Sequence, residues 1–387
     1  MSEDIEEYRA LTSTLLAFYH YHQWEYDQLI VPRTNKYNLL PVASQELLPW
    51  FPKYIEDLKA CITMNQEFTQ ALALIISQDW GVTSNVHEWL PAGDGEYEKV
   101  SSTLLQLARE WSSEGEEERR ISYQKIVDEL ITLYPDELSR QKIKVLVPGC
   151  GLGRLVLDLV KSGFWCQGNE FSYHMLLASN FVLNHCKYAH NYSIFPYLHK
   201  ASHLVKRLNQ LRPVTIPDVS PTEIHDLMMA KPSIPYDDLM SMTAGSFIDL
   251  YGPPGLEVSP VYSDDQAAND FRTSNFANYD VVVTSFFLDT ASNVIEYLKA
   301  IKYCLKDDGK WINFGPLLWH FQETSEDRMK GLELSRDDLI ELAKTMGFVF
   351  KKREEGVEST YSGDRKAMGA YVFKCEYWVV RLDAKRD

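Results

Sequence analysis

The spacing of apolar residues changes near residue 140. Before it, apolar and aromatic positions recur three and four apart. This predicts a helix over Glu6–His22, two more between Val42 and Ile76 punctuated by Pro49 and Pro52, one over Lys99–Trp111 and one over Ile121–Tyr134. After it, short β-rich runs alternate with helical ones. Strands are expected over 144–148 and 164–169, with helices over about 153–162 and 172–187. Val281–Thr284, all β-branched, opens a strong strand from Tyr279, followed by a helix over 292–305. The Asp307-Asp308-Gly309 turn leads into a further strand, and Ser335 opens a helix over Leu334–Met346 with Asp337 and Asp338 near its start. Phe348–Arg353 and Tyr371–Leu382 read as the last two strands, the second as an edge strand or antiparallel partner.

Alternating strands and helices argue for an α/β fold with a parallel sheet. The expected organisation is a helical N-terminal region over 1–140 and a Rossmann-like domain over 141–387. Between about 190 and 245 the alternation breaks. That stretch holds Pro213, Pro217, Pro221, Pro232 and Pro235, and reads as a long inserted loop of the kind used as a lid or substrate loop. Within it, Val214–Val219 reads as a strand belonging to the sheet. No internal repeat is visible.

Charge narrows the partners. The chain carries 55 acidic against 39 basic residues, a net charge of −16, and no basic run. Nucleic acid and anionic membrane surfaces are therefore not expected partners. The six cysteines form no C-x-x-C pair, and several fall in predicted strands or helices. This suits reduced thiols of a cytoplasmic or nuclear protein rather than zinc or a redox dithiol. The N-terminus is acidic and lacks a signal-peptide pattern. His20 and His22 stand two apart, so they do not share a helix face, and no metal site is expected.

The densest chemistry follows the first strand. Gly149, Gly151 and Gly153 alternate in Val147-Pro-Gly-Cys-Gly-Leu-Gly-Arg154. Glycine permits a tight turn and close approach of a ligand, and the helix that follows would offer free N–H groups. A dinucleotide turn, G-x-G-x-x-G, would require a third glycine at 154, where Arg154 stands. The G-x-G-x-G form is common in S-adenosylmethionine-dependent methyltransferases. Glu170 ends the second strand, where an acid can take both ribose hydroxyls of a nucleoside or simply be solvated.

Ligands of open α/β sheets bind beyond the carboxyl ends of the strands. Those ends gather Gly149–Gly153, Glu170, Ser246 and Phe247, Ser285–Asp289 and Gly315–His320. Phe247 could wall a flat base and Ser246 could bond its exocyclic nitrogen. Phe286 and Phe287 would lie between cofactor and substrate zones, and the end of the Tyr279 strand, including Ser285, would suit a positive sulfonium. Asp289 at a buried strand mouth must be paired or solvent-facing. It could accept an N–H from an imidazole, fixing the tautomer and leaving the other nitrogen free to attack, or it could cap the next helix. His320 is a second candidate, or a loop histidine bonded to backbone. Tyr361, Tyr371 and Phe373 could wall a substrate or serve the core.

Five strings, Val147-Pro-Gly-Cys-Gly-Leu-Gly-Arg-Leu155, Cys166-Gln-Gly-Asn-Glu-Phe-Ser172, Ser179-Asn-Phe-Val-Leu-Asn184, Phe286-Phe-Leu-Asp-Thr-Ala291 and Trp311-Ile-Asn-Phe-Gly-Pro-Leu-Leu-Trp-His-Phe321, closely resemble the carnosine N-methyltransferase family from about residue 100 onward. The resemblance implies a class I methyltransferase sheet with an added helical N-terminal region. It implies methyl transfer from S-adenosylmethionine to an imidazole nitrogen of carnosine or a related histidine-containing dipeptide, giving anserine, without metal. By matching motif it places cofactor contacts on Gln106, Arg109, Gly149, Glu170 and the Ala244-Gly-Ser-Phe247 segment, where Ser246 stands for the family's usual Asp. Gly151 and Ser285 join them from the reading of the strand ends. The resemblance places substrate contacts on Asp289 and His320, with Phe373 where a tyrosine is usual and Tyr371 two residues before it on the same strand face. Rival readings are methylation of a protein histidine or another small amine, a nicotinamide oxidoreductase, and a non-catalytic cofactor-binding protein acting through its aromatic N-terminal helices. Those helices are also where a homodimer would form.

Overall fold

Period-two alternation in the second half of the chain builds a seven-stranded sheet with a core on each face. The computed structural model describes residues 2–256, 266–320 and 332–383, with side chains from residue 6 onward. The chain forms two compact units, one of residues 1–116, 173–222 and 362–371, the other of 117–172, 223–361 and 372–387. The strands are β1 (Lys144–Pro148), β2 (Trp165–Glu170), β3 (Tyr192–Ile194), β4 (Val214–Ile216), β5 (Met240–Ala244), β6 (Tyr279–Ser285), β7 (Leu305–Gly315), β8 (Phe348–Ser359) and β9 (Phe373–Leu382).

The first unit is mainly helical. Its longest helix, Ser2–Asn38, continues well past His22 and absorbs Pro32, and it packs on the helix Phe51–Asp79. The second helix buries Ile55, Leu58, Ile62, Leu72 and Ile76, a three- and four-residue spacing that makes one apolar face. Glu25 is 1% exposed between them, and there it accepts hydrogen bonds from Tyr21 Oη and Asn65 Nδ2, both at 3.2 Å. The helix Asp94–Trp111 opens with Glu96 reaching back to the Gly93 N–H at 3.0 Å. Val214–Ile216 does not join the main sheet as the sequence suggests. It pairs antiparallel with β3 in a separate two-stranded sheet, because its three residues find their ladder partners in Tyr192–Ile194.

The second unit holds the sheet in the order β5-β2-β1-β6-β7-β9-β8. β1 pairs in parallel with β2 and β6, and β6 with β7. β9 lies antiparallel between β7 and β8. Val145 and Val147 point to one face with Val281, Val283, Ile312 and Phe314, against the helices Lys125–Leu133 and Arg154–Lys161. Leu146, Val282, Trp311 and Trp378 point to the other, against the helices Val294–Cys304 and Arg336–Thr345. The central strands β1 and β6 are thus buried on both faces, as a parallel sheet requires. β5, at the sheet edge, falls inside the stretch expected to be loop. Its Met-Ser-Met-Thr-Ala sequence lacks an apolar run, and its residues are mostly half-buried. All six cysteines are buried.

Candidate active site

The β1 turn is shaped by three glycines in the left-handed region, with φ of 63° at Gly149, 56° at Gly151 and 79° at Gly153. Any L-residue there would be strained. Gly149 also has no room for a side chain, since a Cβ would stand 2.3 Å from the Phe287 ring. Gly153 is the residue from which the helix Arg154–Lys161 starts. The Gly151 N–H donates to Glu170 Oε2 at 2.9 Å, while Glu170 Oε1 accepts from the N–H groups of Phe171 at 2.8 Å and Ser172 at 2.9 Å. Burial pushes the Glu170 carboxyl above its usual range, and these three donors oppose that rise. The acid is built into the turn rather than merely solvated.

The end of β5 is tied to the same turn. Asn169 donates to the Gly245 carbonyl at 2.9 Å and accepts, through its own carbonyl, the Cys150 N–H at 3.0 Å. Ser246 Oγ accepts from the Asp249 N–H at 3.4 Å and so caps the short helix Phe247–Tyr251. Phe247 is 4% exposed. Its ring stacks on Tyr251 at 5.6 Å and meets Phe287 edge-on at 5.5 Å.

The mouth of β6 is different. Phe286 has φ of 51°, a left-handed conformation costly for a bulky residue. Its N–H donates to the Phe314 carbonyl at 2.8 Å, and Gly315 beside it leaves only 3.1 Å between a would-be Cβ and the Phe286 nitrogen. The kink sends successive rings apart. Phe287 stacks on Tyr297 at 4.7 Å, below the glycine turn, whereas Phe286 packs with Tyr361 at 4.9 Å and Phe373 at 6.0 Å. Ser285 Oγ is buried with no hydrogen-bond partner among the described residues, the kind of atom a ligand satisfies.

Asp289 follows, 4% exposed, in the turn Leu288–Thr290. Its Oδ2 accepts the Leu318 N–H at 2.9 Å, and its carbonyl accepts the His320 N–H at 3.0 Å. Burial raises its carboxyl pKa against the opposing effects of Leu318 and His320. Asp289 does not cap the next helix. Asn293 does, its Oδ1 accepting the Ile295 N–H at 3.1 Å. His320 is exposed, and Trp319 fastens its segment by donating to the Leu334 carbonyl at 3.1 Å. The quoted match at residue 321 lies outside the described residues.

Gln106 and Arg109 belong to the first unit, on the helix Asp94–Trp111. Arg109 is buried beside Glu110, and Gln106 Oε1 is buried with no hydrogen-bond partner among the described residues. The strand position of Tyr371 is a correction: Tyr371 is 69% exposed, in the first unit, and precedes β9, which begins at Phe373 in the second, so the two do not share a strand face. Sequence reasoning also passed over Asn169, Asn293 and Tyr297. Asn169 had one signal, a polar residue at an expected strand end. Asn293 had the signal of a capping residue with Glu296 three positions on, whereas the stacking of Tyr297 on Phe287 had none.

Parallel strands ordered outward from β1, an antiparallel strand next to one edge, a glycine turn after β1 and an acid ending β2 define a Rossmann-like methyltransferase of class I. A family model described as carnosine N-methyltransferase matches residues 86–384. The carnosine N-methyltransferase of Schizosaccharomyces pombe is 35% identical over 100% of this chain and 99% of its own length. That of Mus musculus is 35% identical over 91% of this chain and 81% of its own, and that of Dictyostelium discoideum 32% identical over 97% and 76%. The chain belongs to the carnosine N-methyltransferase family. Among the described residues, no helix is long and apolar enough to cross a membrane.

Proposed function

We propose that this enzyme transfers a methyl group from S-adenosylmethionine to an imidazole nitrogen of carnosine or a related histidine-containing dipeptide, giving anserine from carnosine. The observation that carries this reading is Asp289, a carboxylate buried at the strand mouth with one oxygen pinned by a backbone donor. Three features fit the cofactor: the strained glycine turn, the space at Gly149 filled by Phe287, and the unsatisfied Ser285 hydroxyl. Gly149, Gly151 and Glu170 would hold its nucleoside, with Ser246, Phe247 and Ser285 around it. When bound, S-adenosylmethionine supplies a methyl carbon made electrophilic by a positive sulfur.

Asp289 Oδ1 is the atom we assign to the substrate's ring N–H. That bond fixes one tautomer and leaves the lone pair of the opposite nitrogen directed outward. The Leu318 N–H holds Oδ2, so the carboxylate cannot swing away. Methylation makes the ring cationic, and the adjacent carboxylate stabilises that charge until a proton leaves. His320, tied to Asp289 through its backbone, is the residue we assign to holding the substrate. A free imidazole has a pKa of about 6.5, so the neutral nucleophile dominates at neutral pH and positioning is the main task.

Both groups impose an acid limb. The imidazole must be neutral and Asp289, whose carboxyl is raised by burial, must be ionised. A kcat/KM profile is expected to rise with pH through the imidazole range and then level, with no alkaline fall from either group. The direct test incubates the protein with methyl-labelled S-adenosylmethionine and carnosine and looks for anserine. Tight cofactor binding without transfer to carnosine, free histidine or histidine-bearing peptides would overturn the proposal.

A further inference from the structure

We propose that Asn169 is a positioning residue for cofactor binding: its side-chain amide sets the segment that carries Ser246 and Phe247. This rests on the cofactor reading above and concerns a residue given no cofactor contact there. Asn169 is 2% exposed, on β2, which lies between β1 and β5. β5 is an edge strand with little apolar side chain to hold it. Polar contacts from β2 take over part of that task. Gln167 Nε2 donates to Ser241 Oγ at 3.2 Å and to Thr243 Oγ1 at 3.0 Å. Gly168, the next residue, has no room for a side chain, since a Cβ would stand 2.6 Å from Met242 Sδ and 2.8 Å from Cys150 Sγ.

The backbone ladder between the two strands ends one residue too early. Its last bond runs from the Gly245 N–H to the Glu170 carbonyl at 2.9 Å. The next two N–H groups along the β2 chain, on Phe171 and Ser172, are both taken by Glu170 Oε1. The Gly245 carbonyl therefore lies beyond the last ladder donor, and a buried carbonyl left unpaired is costly. Asn169 supplies the donor. Its Nδ2 reaches the Gly245 carbonyl at 2.9 Å in a buried bond and the Thr243 carbonyl at 3.3 Å.

Gly245 is thus held at both its N–H and its carbonyl, with φ of 135°, a conformation that other residues rarely adopt. The peptide that follows is trans. With its carbonyl fixed on Asn169, its N–H is turned the opposite way, so the direction in which Ser246 leaves β5 is set. The Asn169 backbone carbonyl accepts the Cys150 N–H of the glycine turn at 3.0 Å. One residue therefore places both parts of the donor site: its main chain holds the turn and its side chain holds the Ser246–Phe247 segment. The task needs a neutral amide. A carboxylate of the same shape has no N–H to give and would set negative oxygens against two carbonyl oxygens.

The test measures Kd for S-adenosylhomocysteine, the demethylated cofactor, by calorimetric titration of the wild type, Asn169→Leu and Asn169→Asp across the mildly acid to mildly alkaline range. Asn169→Leu keeps the size and removes the donors. Binding must then restore the segment's position, and affinity should fall about tenfold to a hundredfold. Asn169→Asp should bind more weakly than Asn169→Leu at the alkaline end and more tightly at the acid end, where its protonated carboxyl again donates to the Gly245 carbonyl. The titratable neighbours Glu170 and Cys150 are common to all three proteins, so a crossing of the two variants' profiles belongs to residue 169; a residue that merely supports the fold would not produce it. If one variant does not fold, the other decides, Leu by its loss and Asp by its acid-side gain relative to the wild type. Wild-type affinity in Asn169→Leu, or parallel profiles in the two variants, overturns the role of Asn169 while leaving the cofactor reading intact. A wild type that does not bind S-adenosylhomocysteine overturns that reading and this assignment with it.

Discussion

The turn after β1 and the mouth of β6 lie at the carboxyl ends of neighbouring strands of one sheet, yet they are made from different material. The first is mostly backbone: three left-handed glycines, a helix start, and a carboxylate satisfied by three N–H groups. The second is mostly side chain: a kinked phenylalanine, an unsatisfied serine, and a buried aspartate held by a loop from beyond β7. A backbone cradle recognises what is common to nucleosides. A cluster of side chains can be tuned to one acceptor. On the reading proposed above, the sheet keeps a general-purpose site beside a specialised one.

Substitutions at the two places should separate those tasks. The largest effect is expected at Gly149→Val, which drives a side chain into Phe287 and cannot adopt φ of 63° without strain. Calorimetric titration with S-adenosylmethionine should show at least about a hundredfold loss of affinity. Retained affinity would mean the turn is not the cradle. Asp289→Asn should spare cofactor affinity within about twofold but lower kcat/KM by roughly 10² to 10⁴, the range for an orienting carboxylate behind an imidazole. The same variant carries a sign that a structural acid would not. The Asp289 carboxyl pKa is raised on folding, so the stability it contributes when protonated is lost as pH rises through its folded-state value. Removing the charge should therefore leave thermal stability at neutral pH unchanged or higher. A marked fall in Tm would make Asp289 a structural residue.

Gly315→Ala probes the support behind the acceptor side. Its new Cβ would crowd the Phe286 nitrogen and Cα at 3.1 and 3.2 Å. Turnover should fall about tenfold with cofactor affinity retained, as expected when a reacting group is displaced slightly. A parallel loss of cofactor affinity would show that the two places are not separable. The smallest effect is expected at Asn293→Ala. Losing the cap should cost about 1 kcal/mol in chemical denaturation and leave kinetics unchanged. If kinetics change instead, the cap and the catalytic turn are coupled.

The same contrast explains what could be read from the chain. β1, its turn and β2 were legible because glycine spacing and a terminal acid are local features. The mouth of β6 was legible in part. Asp289 stood out by position, but both Asp289 and Asn293 are good capping residues in one short stretch, and only the folded backbone shows which meets the helix N–H. Tyr371 read as strand because it continues the run into Phe373, whereas ladder pairing begins at Phe373 opposite Ser359. β5 escaped notice because a half-buried edge strand needs little apolar sequence. The kink at Phe286 was invisible for a different reason. It is imposed by Phe314 and Gly315, residues far along the chain.

The contact between Gly149 and Phe287 has a consequence for how such a molecule can vary over generations. The ring occupies the space that a side chain on residue 149 would need. A larger residue at 149 can be admitted only after Phe287 shrinks, and a smaller residue at 287 leaves a hole under the turn until something fills it. Because Phe286 and Phe287 share one kinked backbone, a change at 287 is felt by the ring on the acceptor side. If the two places serve donor and acceptor as proposed, drift in donor binding and drift in acceptor choice are inherited together, through one pair of adjacent residues.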